Sequence, residues 1–319
     1  MLRRYGEPRK QWKEMMQSAP ELRPMAAATS MVGAMCIIGA IDIYVVVIAQ
    51  TISIWQFFIV RTALMVPMIV LASALGWGGL RPSNWRAVIL RSSVIAVGMF
   101  CYFGALAFMP IAMALAGLFT SPIFVLLFTA YGLGQRIGPW RILAVLIGFV
   151  GILVVLGPSG GALGWIIVLP VLGGMFYAAG VVATRAYCAQ ETTLTLLLGI
   201  FTAQTVLSLG VMAAQGLLQQ DVGAGGMAFL TRGWIWPMGD ALPYVVLQAV
   251  GAFFGVSLLN RAYQLGEASH VAVFEYAVMI FGPLFGWVLL GQPVTALQGA
   301  GIALIASAGI IIAVRSAEA

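Results

Sequence analysis

Ten apolar runs, each long enough to cross a bilayer, take up nearly the whole of this 319-residue chain. They fall near 26–49, 55–76, 88–108, 111–131, 140–157, 164–187, 193–216, 241–264, 269–290 and 296–314. A helix needs about 20 apolar residues to cover roughly 30 Å of hydrocarbon. The breaks between runs are short and polar, or carry Gly and Pro. Only 8% of the residues are charged and 62% are hydrophobic, whereas a soluble domain carries about 25% charged residues. Soluble, disordered, collagen-like and disulfide-scaffold folds are therefore excluded. Cys36, Cys101 and Cys188 form no even-numbered framework and read as packing residues. The expected fold is an all-α polytopic membrane protein with ten transmembrane helices.

Basic residues orient the spans, because cytoplasmic loops are enriched in Lys and Arg. Arg3, Arg4, Arg9, Lys10, Lys13 and Arg23 precede the first run. Arg81, Arg86, Arg91, Arg136, Arg141, Arg185, Arg261 and Arg315 fall at alternate breaks or at the far end. Together they make 14 of the 16 basic residues. The pattern predicts both termini in the cytoplasm. It also accounts for the net charge of +6 without nucleic acid as a partner. Segment 1–25 is read as a cytoplasmic tail, either solvated or lying along anionic headgroups. Its following apolar run is too long for a cleavable signal peptide.

The two halves resemble each other. Ala105-Leu106, a turn at Met109-Pro110, an apolar run, Gly134-Gln135 and Gly151 mark the end of the first. Ala262-Tyr263, a turn at Gly266-Glu267, an apolar run, Gly291-Gln292 and Gly309 mark the end of the second. Corresponding positions lie 157 or 158 residues apart. The predicted units are a first five-helix repeat at 26–158 and a second at 163–314, with a tail at 315–319. Five is odd, so the second repeat is inverted in the membrane, the plan of many secondary transporters.

Those Gly-Gln pairs, Arg61, Thr184-Arg185, Phe274-Glu275-Tyr276 and Gly286-Trp287 resemble the EamA-type carriers of the drug/metabolite transporter superfamily. The resemblance covers roughly 28–314. It implies a ten-helix inner-membrane carrier for amino acids, nucleotide or sugar derivatives, flavins or other small metabolites. Gln135 and Gln292 depart from the family's usual Glu, which puts any charge-dependent role there in question.

Ionisable residues inside a span cost about 2.5–3.5 kcal/mol each, so each needs a reason. Asp42 and Arg61 sit at matching depths, roughly 10 Å from the outer surface at 1.5 Å per residue. They are expected to form an ion pair, either locking a hairpin or binding or gating substrate on the outer side. Glu275 has no basic neighbour in sequence at its depth. At helical spacing Ala268, Ala272, Met279, Gly282 and Gly286 share its stripe, and Pro283 interrupts the same helix. It is expected to bind substrate or a proton, or to act as a hydrogen-bonded structural carboxyl. His270 is expected to be a solvated helix-end residue, with a proton relay as the alternative. Tyr102, Tyr177, Tyr276 and Trp287 are candidate pocket walls. Gln204, Gln248 and Asn260 are candidate interhelical donors, and Gly251 with Gly255 marks close helix packing. The long break at 217–240, with Gly223, Gly225, Gly226, Phe229, Trp234, Ile235 and Trp236, is expected to lie in the outer interface or act as a lid.

An enzyme is disfavoured. Gly157-Pro158-Ser159-Gly160-Gly161 matches GxSxG, but His270 lies across the bilayer from it, and a base must come within about 3 Å of its nucleophile. No metal constellation, P-loop or dinucleotide fingerprint is present, so no cofactor is expected. A channel or lipid scramblase is the third class, but it lacks a filter loop. The leading expectation is a secondary carrier of a small polar metabolite, amino-acid-like first, with flavin, nucleotide-derivative or lipid substrates open. Proton coupling would run through Glu275 or Asp42. Membrane lipids surround a monomer or weak homodimer.

Overall fold

A computed structural model describes residues 23–105, 108, 114, 117–134, 138–156, 168–218, 221–223, 226–290 and 296–316. Every regular element among them is helical. The first run breaks into α1 (Pro24–Asp42) and α2 (Val45–Thr51). Next come α3 (Ile54–Ala74), begun by the Ser53 hydroxyl accepting the Gln56 N–H, and α4 (Trp85–Ala105). A short α5 (Ser121–Leu127) runs into a π turn at Phe128–Gly132 and is followed by α6 (Pro139–Leu156). The later part of the chain forms α7 (Val168–Tyr187), α8 (Thr193–Leu217), the short α9 (Gly226–Thr231) and α10 (Ala241–Leu265). A single turn, α11 (Ala268–Val271), leads through a 3-10 segment at Ala272–Ala277 into α12 (Val278–Leu290), and α13 (Ala296–Ser316) follows.

Seven of the described helical stretches are long and apolar enough to cross a membrane. Three shorter apolar ones, at Ser121–Gly132, Pro139–Gly151 and Gly299–Ala308, fall where further spans were expected. The outward faces carry Leu71, Val206, Val288 and Ile310, all well exposed. In water that surface would be an aggregation hazard, and in lipid it is a solvated one. The protein is a multi-pass membrane protein.

The helices pack in a paired pattern. α1 lies along α10, and α4 lies along α7; α3 meets α8, and α6 meets α13. Glycines permit these approaches. A Cβ at Gly98 of α4 would stand 2.9 Å from the Gly173 carbonyl oxygen of α7. Gly255, 157 residues beyond Gly98, plays the matching part against α1, where a Cβ would stand 3.1 Å from Ile38. The Gly251–Gly255 spacing therefore does mark close packing, with backbone approach replacing the hydrophobic drive that lipid removes.

Two features depart from uniform spans. α1 stops at Asp42 and resumes at Val45, so the carboxylate sits at a helix break. The 3-10 turn at Ala272–Ala277 winds three residues per turn, so the α-helical stripe drawn through Glu275 does not hold its register. Gln135, Gln292, Met109-Pro110, Gly157-Pro158-Ser159-Gly160-Gly161, Gly225 and the segment before Arg23 lie outside the described residues.

Candidate functional site

Asp42, Arg61, Tyr102, Tyr177 and Glu275 face one central cavity, together with Arg91, Gln204, Gln248 and Asn260. Most of the lining is apolar or aromatic, including Phe103, Phe119 and Phe201. A few convergent polar groups on such walls are what fixes a ligand's orientation.

Asp42 and Arg61 do not form the expected ion pair. The Arg61 Nη2 donates to Gln204 Oε1 at 2.9 Å, and its guanidinium lies 4.8 Å from the Phe57 and Phe58 ring centres and 5.1 Å from that of Phe201. Its Nε has no partner. Asp42 accepts a long 3.5 Å contact from Gln248 Nε2, whose main bond, at 2.8 Å, goes to the Ile41 carbonyl at the helix break. Aromatic faces and an amide satisfy the cation, so cation and carboxylate remain apart on the cavity wall.

Glu275 is held by hydroxyls. Tyr177 donates to its Oε1 at 2.7 Å and Tyr263 at 2.6 Å, and Ser121 adds a side-chain hydrogen bond. The 3-10 turn carries this carboxylate inward between α5, α7 and α10. Tyr263 had no sign in sequence beyond being part of the repeat pair Ala262-Tyr263.

Arg91 is the main residue that sequence reasoning missed. It reads as a loop cation, yet it is the seventh residue of α4 and only 1% exposed. Its Nε donates to Thr184 Oγ1 at 2.8 Å, its Nη2 to Asn260 Oδ1 at 2.5 Å, and its Nη1 more weakly to the Leu196 carbonyl at 3.4 Å. One side chain thus joins α4 to α7, α8 and α10. It lines the same cavity as Glu275. Asn260, oriented by Arg91, keeps its Nδ2 unpartnered. The repeat spacing held the clue: Arg91 matches Gln248 at 157 residues, a second polar group in mid-span. Ile95 and Ala252, Met99 and Val256, Tyr102 and Leu259, and Phe103 and Asn260 repeat that spacing, and all of them line the cavity.

Three other candidates are placed elsewhere. Tyr276 is buried, but its ring presses on Gly148 and its hydroxyl donates to the Val145 carbonyl at 3.5 Å, so it packs α6. Trp287 is 55% exposed and faces outward, toward lipid. His270 is not solvated: it is 5% exposed, against the Phe274 ring at 5.5 Å. Burial, with Arg141 adding to it and Glu267 opposing, lowers the imidazole pKa to about 4. The unfolded imidazole then takes up a proton near pH 6.5 and the folded one only near 4. Stability is complete above pH 6.5 and falls by roughly 2–3 kcal/mol as the pH drops through that window. Melting at pH 7.5 and 4.5 tests this: the drop should be smaller in His270→Asn, and an unchanged drop would remove His270 as its source.

The segment within 217–240 is fastened to the start of α3. Trp55 Nε1 donates to the Leu230 carbonyl at 2.7 Å, and Gln56 pairs with Ile235 through both amide groups at 2.7 and 3.0 Å. Arg232 reaches carbonyls at the end of α2. At the opposite end Arg141 and Glu267 form an ion pair, and Arg185 donates to the Gln264 carbonyl at 2.7 Å.

The model of the EamA-like transporter family matches residues 25–157 and again 164–314. This chain belongs to the EamA-like transporter family. Among its relatives, a riboflavin transporter of Rhizobium johnstonii is 30% identical over 228 residues, 72% of this chain and 70% of that one. A riboflavin transporter of Brucella anthropi is 24% identical over 82% of this chain and 86% of that protein. The pseudopaline exporter CntI of Pseudomonas aeruginosa is 28% identical, covering 70% of this chain and 74% of its own. A solved crystal structure superposes with a TM-score of 0.73 at 19% identity, over 90% of this chain and 98% of that one, so the fold is shared. The three sequence relatives are named as transporters or an exporter, and none of them is named for an amino acid. The amino-acid-like substrate expected from the buried carboxylates therefore lacks their support.

Proposed function

We propose that this protein is an inner-membrane secondary transporter of a flat, neutral heteroaromatic metabolite of the flavin class. One observation carries the reading: the residues around the central cavity combine aromatic walls with two buried donors that have no partner, Arg61 Nε and Asn260 Nδ2. A flavin ring offers carbonyl and ring-nitrogen acceptors to such donors and a face to Tyr102, Phe103, Tyr177 and Phe201. Aromatic rings favour offset or edge contacts worth about 0.5–1.5 kcal/mol each beyond their area. Two cations, Arg61 and Arg91, balance two carboxylates, Asp42 and Glu275, so the site as a whole favours a neutral ligand over an anion. The names of the Rhizobium and Brucella relatives point the same way.

The transport mechanism proposed is alternating access by two inverted five-helix repeats, 26–158 and 163–314, in a ten-helix protein with both termini cytoplasmic. The paired packing of α1 with α10 and α4 with α7, and the 157-residue spacing of the cavity walls, support it. Rocking of the halves would expose the same cavity to each side in turn. Glu275, among three hydroxyls, is the proposed coupling group.

Counterflow in proteoliposomes tests the reading whichever way the transporter runs in cells. Vesicles preloaded with unlabelled riboflavin should accumulate labelled riboflavin saturably, and a tenfold excess of an amino acid mixture should not compete. Equal rates in protein-free vesicles would sink the flavin assignment. Glu275→Gln keeps an oxygen for Tyr177 and Tyr263 but cannot ionise. It should leave counterflow nearly intact and abolish uphill uptake driven by a pH gradient. Undiminished gradient-driven uptake would take Glu275 out of coupling.

A further inference from the structure

A second cavity lies between α4 and α8, with a lining separate from that of the central site. Its walls include Ile89 and Val206, exposed by 56% and 61%, so the groove opens on the lipid-facing surface. Leu80 and Pro82 line one end; Arg81 between them is exposed, as is Arg86, the second residue of α4. Arg86 lies over the Trp85 ring at 5.3 Å, the pairing of a cation and an indole at a headgroup boundary. Within the groove Ser92 is only 1% exposed, yet its hydroxyl has no partner. A buried hydroxyl without a partner calls for an acceptor that the protein does not supply. Leu198, Val206 and Leu207 continue the wall beyond it in hydrocarbon.

Basic mouth, open hydroxyl and apolar floor follow one another in the order phosphate, ester and acyl chain. We propose that this groove binds one anionic phospholipid. Its phosphate would meet Arg81 and Arg86, an ester oxygen would accept from Ser92, and an acyl chain would lie between α4 and α8. The nearby carboxylate of Glu191 keeps its charge but engages both oxygens with the Ser83 and Asn84 N–H groups, at 3.0 and 2.6 Å. Arg91, one residue before Ser92, points to the other side of the helix into the central cavity, so lipid and substrate would occupy opposite faces of α4.

Native mass spectrometry of the purified full chain, incubated with phosphatidylglycerol or phosphatidylcholine, tests the site. One phosphatidylglycerol should be retained per chain, at least tenfold in preference to phosphatidylcholine. The Arg81→Gln/Arg86→Gln variant should lose that preference, and Ala203→Phe, which fills the groove, should lose retention of both lipids. Equal retention of the two lipids by the wild type, or phosphatidylglycerol retention unchanged in the double arginine variant, overturns the proposal. So does a lipid-free dimer that Ala203→Phe splits, which would make the groove a contact between copies. The arginine pair is exposed, so the test stands even where Ala203→Phe does not fold.

Discussion

Arg61→Gln is expected to weaken substrate binding by roughly 10- to 100-fold while the melting temperature moves by only a few degrees. The guanidinium lies against Phe57, Phe58 and Phe201 and gives one bond to Gln204, leaving the buried Nε without a partner. A charge-assisted hydrogen bond contributes about 1.5–3 kcal/mol, and each 1.4 kcal/mol is tenfold in affinity. Glutamine fills part of the space and can pair with Gln204, but it carries neither the charge nor the planar fork. Arg61→Lys should recover little, because a compact ammonium cannot stack on three rings and reach the ligand at once. Calorimetric binding of riboflavin beside thermal unfolding separates the outcomes. Unchanged affinity with a large drop in melting temperature would make Arg61 a purely structural cation.

Arg91→Met is expected to act the other way round, first on stability. It removes the donor for Thr184 Oγ1 and Asn260 Oδ1, both buried, and unties α4 from α7 and α10. Each buried acceptor left unpaired costs about 1–3 kcal/mol, so a loss of roughly 2–5 kcal/mol and a fall in melting temperature of about 5–15 °C follow. Transport should fall as well, because Asn260 loses the bond that orients it. The double variant Arg91→Met/Asn260→Leu removes donor and acceptor together and should regain part of the stability without regaining transport. Recovery of both would mean that Asn260 has no part in substrate binding. No change in melting for Arg91→Met alone would contradict its bonding pattern.

The contrast between Arg91 and Arg61 shows what could be read from residue order. Arg61 is the eighth residue of α3, within a long apolar run where a charge is costly and so conspicuous. Arg91 follows Arg81 and Arg86 closely and is camouflaged among flanking cations, although the run it enters continues to Ala105. Its burial depends on where α4 begins and on Thr184 and Asn260 arriving from distant spans. Asp42 and Glu275 were conspicuous for the same reason as Arg61, and both reach the cavity. Their partners were not legible, because Gln248 lies 206 residues from Asp42 and Tyr177 lies 98 from Glu275.

Trp287 and Tyr276 mark the other boundary. In a soluble helix, polarity tells the inward face from the outward one; in lipid both surroundings are apolar, so an aromatic carries no such signal. The direction of these two side chains depends on the 3-10 turn at Ala272–Ala277, which shifts the register of everything after it. Residue order by itself determined that the chain is an all-helical membrane protein, that its halves repeat, and which charges must be sheltered, because desolvation acts on each residue locally. Tertiary structure alone decided which of those charges meet amides, hydroxyls or aromatic rings, and which aromatics face the cavity. Those contacts join spans far apart in sequence, and local hydropathy does not encode them.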